Sequence, residues 1–213
     1  MSWAELAAAT LENDHVRLRP ISPEDRESIH DIAMDPVIWR YFVSLVETEE
    51  DFDAFFQGMV ADHAAGRRVV FHITDKTTGR CAGSMSFGNL SEADARLEIG
   101  WSWLGVDFQG RGINRWAKYL LLEHAFENLG AERVEFKTDQ LNAQARAGLR
   151  NIGALEEGVL RSFNPMPGGR RRDAVYYSVL RGDDETVSAL APVVESEETN
   201  GDAEIGDAEP AGA

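Results

Sequence analysis

Gly110 and Gly112 bracket Arg111 in a loop that opens directly into a strongly periodic helical segment, "GRGINRWAKYLLLEHAF". Glycine lets a backbone approach a ligand that any side chain would hold off. The first turn of a helix carries unpaired N–H groups and a partial positive charge. Together these features make an anion site, for which pyrophosphate is a common occupant, and Arg111 and Arg115 add charge. The run "GRGINR" lacks the third glycine of a dinucleotide fingerprint, and no Gly-Lys-Ser/Thr follows as in a P-loop. Taken alone, the glycine pair fits an ordinary turn as well as an anion site.

A second group with chemical potential is Glu98, in "ARLEIGWSWL". A carboxylate is disfavoured in such an aromatic-rich strand. Alternation places it on one face with Gly100, Ser102 and Leu104. It reads either as a proton acceptor or as a structural, solvated carboxylate. His72 and His124 read as structural, with no second ligand at metal spacing. Cys81 is the only cysteine, so no internal disulfide forms and no metal site of cysteine type is expected.

The elements that position these groups follow from local patterns. "SWAEL" has capping-box spacing and predicts a short helix at about 2–11. "HVRLRPI" predicts a strand at about 15–20. Ser22 and Pro23 start a helix, the serine as its cap. Thr48 caps another, whose Phe52, Phe55, Phe56 and Met59 form one apolar stripe. Strands follow at about 69–75, 80–90 and 95–104, the first two joined by the turn "KTTG". Ile113, Trp116, Ala117, Leu120, Leu121 and His124 share a helix face, and Gly130 ends that helix. A strand at about 133–138, a short helix closed near Gly153, and a final strand pair around "NPMPGGRR" complete the chain. The order is β-α-α-β-β-β-α-β-α-β-β, so the fold class is mixed α+β with a mixed sheet.

The chain has 213 residues and a formal net charge of −16. Residues 183–213 hold ten Asp or Glu and no Lys, Arg or His, which leaves −6 on residues 1–182. The acidic stretch has no aromatic residue and reads as a disordered tail behind a single domain, 1–182. Such an acidic protein is a poor candidate for nucleic-acid binding. No secretory signal or membrane-length apolar run is visible, so a cytoplasmic protein without a membrane partner is expected. The oligomeric state is not readable, and a homodimer stays open.

"FQGRGIN" resembles the Q/R-x-x-G-x-G/A motif of the GCN5-related N-acetyltransferase (GNAT) superfamily. With "EIGWSWL", "RVEFKTDQLNAQARAGLRNIGALEEGVLR" and "GGRRRDAVYYSVL", the chain is similar to that superfamily's ribosomal-protein N-acetyltransferase-like branch over about residues 14–181. The resemblance implies a twisted, largely antiparallel mixed sheet flanked by helices. It also implies acetyl-coenzyme A as cosubstrate and no metal. Gln109, Gly110, Arg111, Gly112, Ile113, Asn114 and Arg115 match the pyrophosphate loop, with Asn114 where Gly or Ala is usual. Trp103, Leu104 and Val106 match the strand end along which pantetheine lies, and an amide near Leu104 would polarise the thioester carbonyl. Asn142 matches a position that contacts the pantetheine arm, and it also reads as a plain helix N-cap.

Acetyl transfer needs a neutral amine near the thioester. Neutralising a lysine-like amine at pH 7 costs about 4–5 kcal/mol, and an α-amine about 1 kcal/mol. A route for the proton is therefore required, and Glu98 is the candidate catalytic residue. The family's tyrosine general acid falls at Leu149, so it is absent. The expected activity is N-acetylation of a protein N-terminus or a small amine, with loops 35–48 and 163–171 at the acceptor. A catalytically inactive coenzyme A-binding module is the alternative.

Overall fold

The structure is a computed structural model and describes residues 2–183. Five helices and eight strands run in the order α1 (Trp3–Ala7), β1 (Leu11–Glu12), β2 (Val16–Pro20), α2 (Arg26–Ala33), α3 (Glu49–Ala64), β3 (Arg68–Asp75), β4 (Cys81–Ser91), β5 (Arg96–Leu104), α4 (Ile113–Glu123), β6 (Arg133–Asp139), α5 (Ala143–Asn151), β7 (Leu155–Pro165) and β8 (Arg171–Leu180). The strands form one sheet, ordered β1-β2-β3-β4-β5-β6-β8-β7. Among the described residues, only β5 and β6 pair in parallel. The other neighbours are antiparallel. The acidic run beyond Asp183 lies outside the described residues.

Alternation along the strands sorts two cores onto the two faces. Val69, Phe71 and Ile73 of β3 enter the larger core with α1, α4 and α5. Val70 enters the smaller one with Ile29 of α2 and Phe52, Phe56 and Met59 of α3. Fully burying one such aromatic side chain contributes roughly 2–3 kcal/mol. The stripe read from the sequence of α3 is thus core, with Phe55 packed at its margin.

Local signals set most boundaries. Thr48 and Asp51 close a reciprocal capping box, the Asp51 amide donating to Thr48 Oγ1 at 3.1 Å. The first helix is shorter than expected. It stops at Ala7 because Leu11 and Glu12 pair with Leu18 and Arg17. The turn between them is held by Asn13, whose side-chain oxygen accepts the His15 and Val16 amides. Pro23 begins a 3₁₀ turn, Pro23–Asp25, and α2 starts only at Arg26. There the Asp25 carboxylate accepts the Ser22 amide at 2.8 Å and an ion pair from Arg19. α4 ends in a single π-turn, His124–Asn128. His124 bonds Asn128 Oδ1 and the Leu6 carbonyl, tying α4 to α1.

Candidate active site

β5 and β6 pair over only three residues, Arg96–Arg133, Leu97–Val134 and Glu98–Glu135. Beyond Glu98 they part. A cavity of about 630 Å³ fills the gap, lined by residues 98–102 of β5, 136–139 of β6, and Asn142, Ala145 and Leu149 at α5. Asn114 and Lys118 of α4 line it too. Tyr41, Phe42 and Val43 approach it from one expected acceptor loop, and Phe163, Asn164 and Pro165 from the other.

β5 changes face inside this gap. Ser84 pairs with Trp103 and Ser86 with Gly100, so β5 holds one extra residue. This is a β-bulge. Trp101 takes it up with φ of 50°, a left-handed conformation that costs a non-glycine residue roughly 1–2 kcal/mol. Its indole lies on Gly88, where a Cβ would stand 2.3 Å from the ring, and Arg68 covers the ring at 4.9 Å. The bulge corrects the alternation expected for this strand. Glu98 and Gly100 share a face, but Leu104 falls with Leu97 and Ile99 in the larger core. Trp103 enters the smaller core against Trp39 and Phe55. The side chains of Trp103 and Leu104 are therefore turned into packing, and Val106 is exposed. Any ligand contact from Trp103 or Leu104 falls to the main chain.

Glu98 is 4% exposed. Its Oε2 accepts Asn89 Nδ2 at 2.7 Å and Lys137 Nζ at 3.2 Å. Lys137 in turn stands over the rings of Phe163 and Tyr176. Oε1 is directed toward Gly100.

In the loop just before Asn114, which lines the cavity, Gly110 and Gly112 both adopt positive φ, 73° and 79°. Gly112 is the N-cap of α4, and no side chain caps the helix. A Cβ at Gly110 would meet nothing within 4 Å. The glycines are thus required by backbone conformation, and Gly112, as N-cap, has no side chain to offer the amides that follow it. That is the arrangement an anion site needs. Gln109 braces the loop, its Nε2 donating to the Leu104 carbonyl at 3.1 Å while its Oε1 accepts Gln144 Nε2. Arg111 donates to the Asp107 carbonyl at 3.4 Å. Ile113 is buried beneath the turn.

Asn142 caps α5 by accepting the Ala145 amide at 3.0 Å and also lines the cavity. Leu149 is buried and lines it as well. Lys118, Lys137, Asn89 and Arg172 were not anticipated. Lys118 had a legible signal: it lies four residues after Asn114, on the same helix face. Burial alone pulls its pKa down to about 8. Lys137 had none, because only the β5–β6 pairing brings it to Glu98.

Residues 15–155 match the family model described as "Acetyltransferase (GNAT) domain". The chain belongs to the GNAT family. It is an N-acetyltransferase. It is 29% identical over 178 residues to the Bacillus subtilis protein called "Putative ribosomal N-acetyltransferase YdaF", covering 79% of this chain and 93% of that one. It is 24% identical to the spermidine N(1)-acetyltransferase of Escherichia coli K12, over 68% of this chain and 75% of that one. Its fold is that of a GCN5-related N-acetyltransferase from Brucella melitensis, with a TM-score of 0.78, 22% identity, and 87% and 86% of the two chains covered. For this GNAT protein the family and the mixed sheet agree with the resemblance read from "FQGRGIN" and the element order.

Proposed function

We propose that this N-acetyltransferase uses acetyl-coenzyme A and transfers the acetyl group to a primary amine by direct attack within a ternary complex. The carrying observation is the splay between β5 and β6. It opens a cavity lined both by the buried carboxylate of Glu98 and by Asn114 in the first turn of α4, the helix that the glycine-rich loop begins.

In this reading the backbone from Gln109 to Arg115 holds the pyrophosphate, with Arg111 and Arg115 adding charge. The main chain from Gly100 through the end of β5 at Leu104 to Val106 lies along pantetheine as an added strand would. Asn142 lies beside the arm. Glu98 takes the proton from the attacking nitrogen, directly or through water, at Oε1, while Asn89 and Lys137 fix Oε2. The acceptor enters between Tyr41–Val43 and Phe163–Pro165.

The acceptor is a protein N-terminal α-amine or a small amine. The α-amine asks less of the base, by roughly 3–4 kcal/mol at pH 7.

Two measurements test this. Calorimetry is expected to show coenzyme A and acetyl-coenzyme A binding at micromolar levels. Thiol release is then followed over a panel of N-terminal peptides and polyamines. Absence of binding at millimolar cosubstrate refutes the reading. Tight binding without turnover on any amine identifies a binding module instead.

A further inference from the structure

Acyl transfer from a thioester releases a thiolate, and the groups assigned so far provide no proton for it. Leu149, at the α5 position facing the cavity, is apolar. Among the charged groups that line the cavity, Lys137 is committed to Glu98 at 3.2 Å. Asp139 accepts an ion pair from Arg170. Arg172 donates Nε to Asn164 at 2.9 Å, and a guanidinium does not release its proton in proteins.

Lys118 differs from all of these. It projects from α4 into the same cavity and is 6% exposed. Its Nζ donates to Asn114 Oδ1 at 2.5 Å. That partner is a neutral amide oxygen, and among the described residues no carboxylate lies within 4.0 Å of the ammonium. One of three ammonium donors is used, which leaves two for the cavity. A buried ammonium without a counter-charge is costly, and titratable groups held in such surroundings within a cleft concentrate at functional sites.

We propose that Lys118 donates the proton that converts the departing thiolate of coenzyme A to a thiol. The inference rests on the acetyl-transfer reading above. In the step, the substrate amine nitrogen bonds the carbonyl carbon and the carbon–sulfur bond breaks. The nitrogen's excess proton passes to Glu98, and sulfur takes a proton from Lys118 Nζ. Lys118 is left neutral and Glu98 protonated. Solvent restores both when the products leave, so the sum is amine plus thioester to amide plus thiol. The affinity of Lys118 for its proton, about 8 on the pKa scale, lies close to that of an ordinary thiol, about 8.5. Transfer between matched groups needs little driving force. Tyr41, Glu98, Lys137, Asp139 and Arg172 are the titratable and charged groups that share the cavity from the other elements. Burial is the stated cause of the lysine's shift.

The test compares the wild-type protein with Lys118→Met and Lys118→Gln. First, coenzyme A is bound and its thiol is titrated by the ultraviolet absorbance of the thiolate. In the wild type the ammonium should hold the bound thiol's pKa at least about one unit below its value in either variant. Second, turnover with acetyl-coenzyme A should fall about 100-fold or more in both variants, with the cosubstrate's KM little changed. The basic limb of the kcat profile should vanish in both. A bound thiol that titrates identically in wild type and variants overturns the proposal even when all three bind. A rise in KM with kcat intact also overturns it, by marking Lys118 as a binding residue. If the wild type fails to bind coenzyme A, the reading beneath the proposal fails and the proposal falls with it. Circular dichroism checks that both variants fold.

Discussion

Oε1 of Glu98 occupies space that a side chain on residue 100 would need: an ideal Cβ on Gly100 would stand 2.8 Å from it. The neighbour that must give way is the end of a flexible side chain, so the backbone need not move. Gly100→Ala should therefore fold normally and displace the carboxylate. A displacement of about an ångström at a reacting group costs on the order of 100-fold in rate. Turnover should drop by about 10- to 100-fold while the urea midpoint hardly changes. Unchanged turnover would show that the placement of Glu98 does not matter.

Glu98→Gln removes the base but keeps an oxygen for Asn89. Turnover should fall on the order of 100-fold, and acetyl-coenzyme A affinity should stay within about threefold. A variant as fast as the wild type excludes Glu98 from the chemistry.

Gly112→Val acts on the other half of the site. Residue 112 holds φ of 79°, a conformation that costs a β-branched residue at least about 1–2 kcal/mol. The loop should re-form with the helix start displaced. Coenzyme A affinity should weaken by about tenfold or more, read by calorimetry. Affinity equal to the wild type would separate the loop from cosubstrate binding.

Lys118 also makes a stability prediction. Its folded pKa, about 8, lies below the ordinary value of 10.5. Between these values the unfolded chain binds more protons, so stability rises with pH through that window. Below about pH 8 the full penalty is present. Lys118→Met should then be more stable than the wild type by a few kcal/mol at pH 7, and the gap should narrow toward pH 10.5. Urea denaturation across pH 7–10.5 measures it. A constant gap would mean that the ammonium is solvated in the folded state.

Much of the molecule was legible in its order of residues. The capping box at Ser2, the cap at Thr48, the stripe of α3 and the glycine pair before α4 are local patterns. They depend on neighbours within four positions, and each stands where the spacing put it. Pairing was harder. Leu11–Glu12 became a strand because Leu18 and Arg17 lie opposite, which no helix propensity near Leu6 reveals. The bulge at Trp101 hid as well. A tryptophan carries no signal for positive φ, and that conformation persists where the indole packs between Gly88 and Arg68.

The sequence by itself determined the order of the elements other than β1, the glycines that begin α4, and the placing of a carboxylate at position 98. These are properties of short stretches of chain. Tertiary structure alone decided what surrounds them. It set Lys137 against a residue 39 positions away, turned Leu104 out of the face shared by Glu98, and buried the ammonium of Lys118. Burial and charge pairing depend on what the folded sheet brings near, and distance along the chain does not encode that.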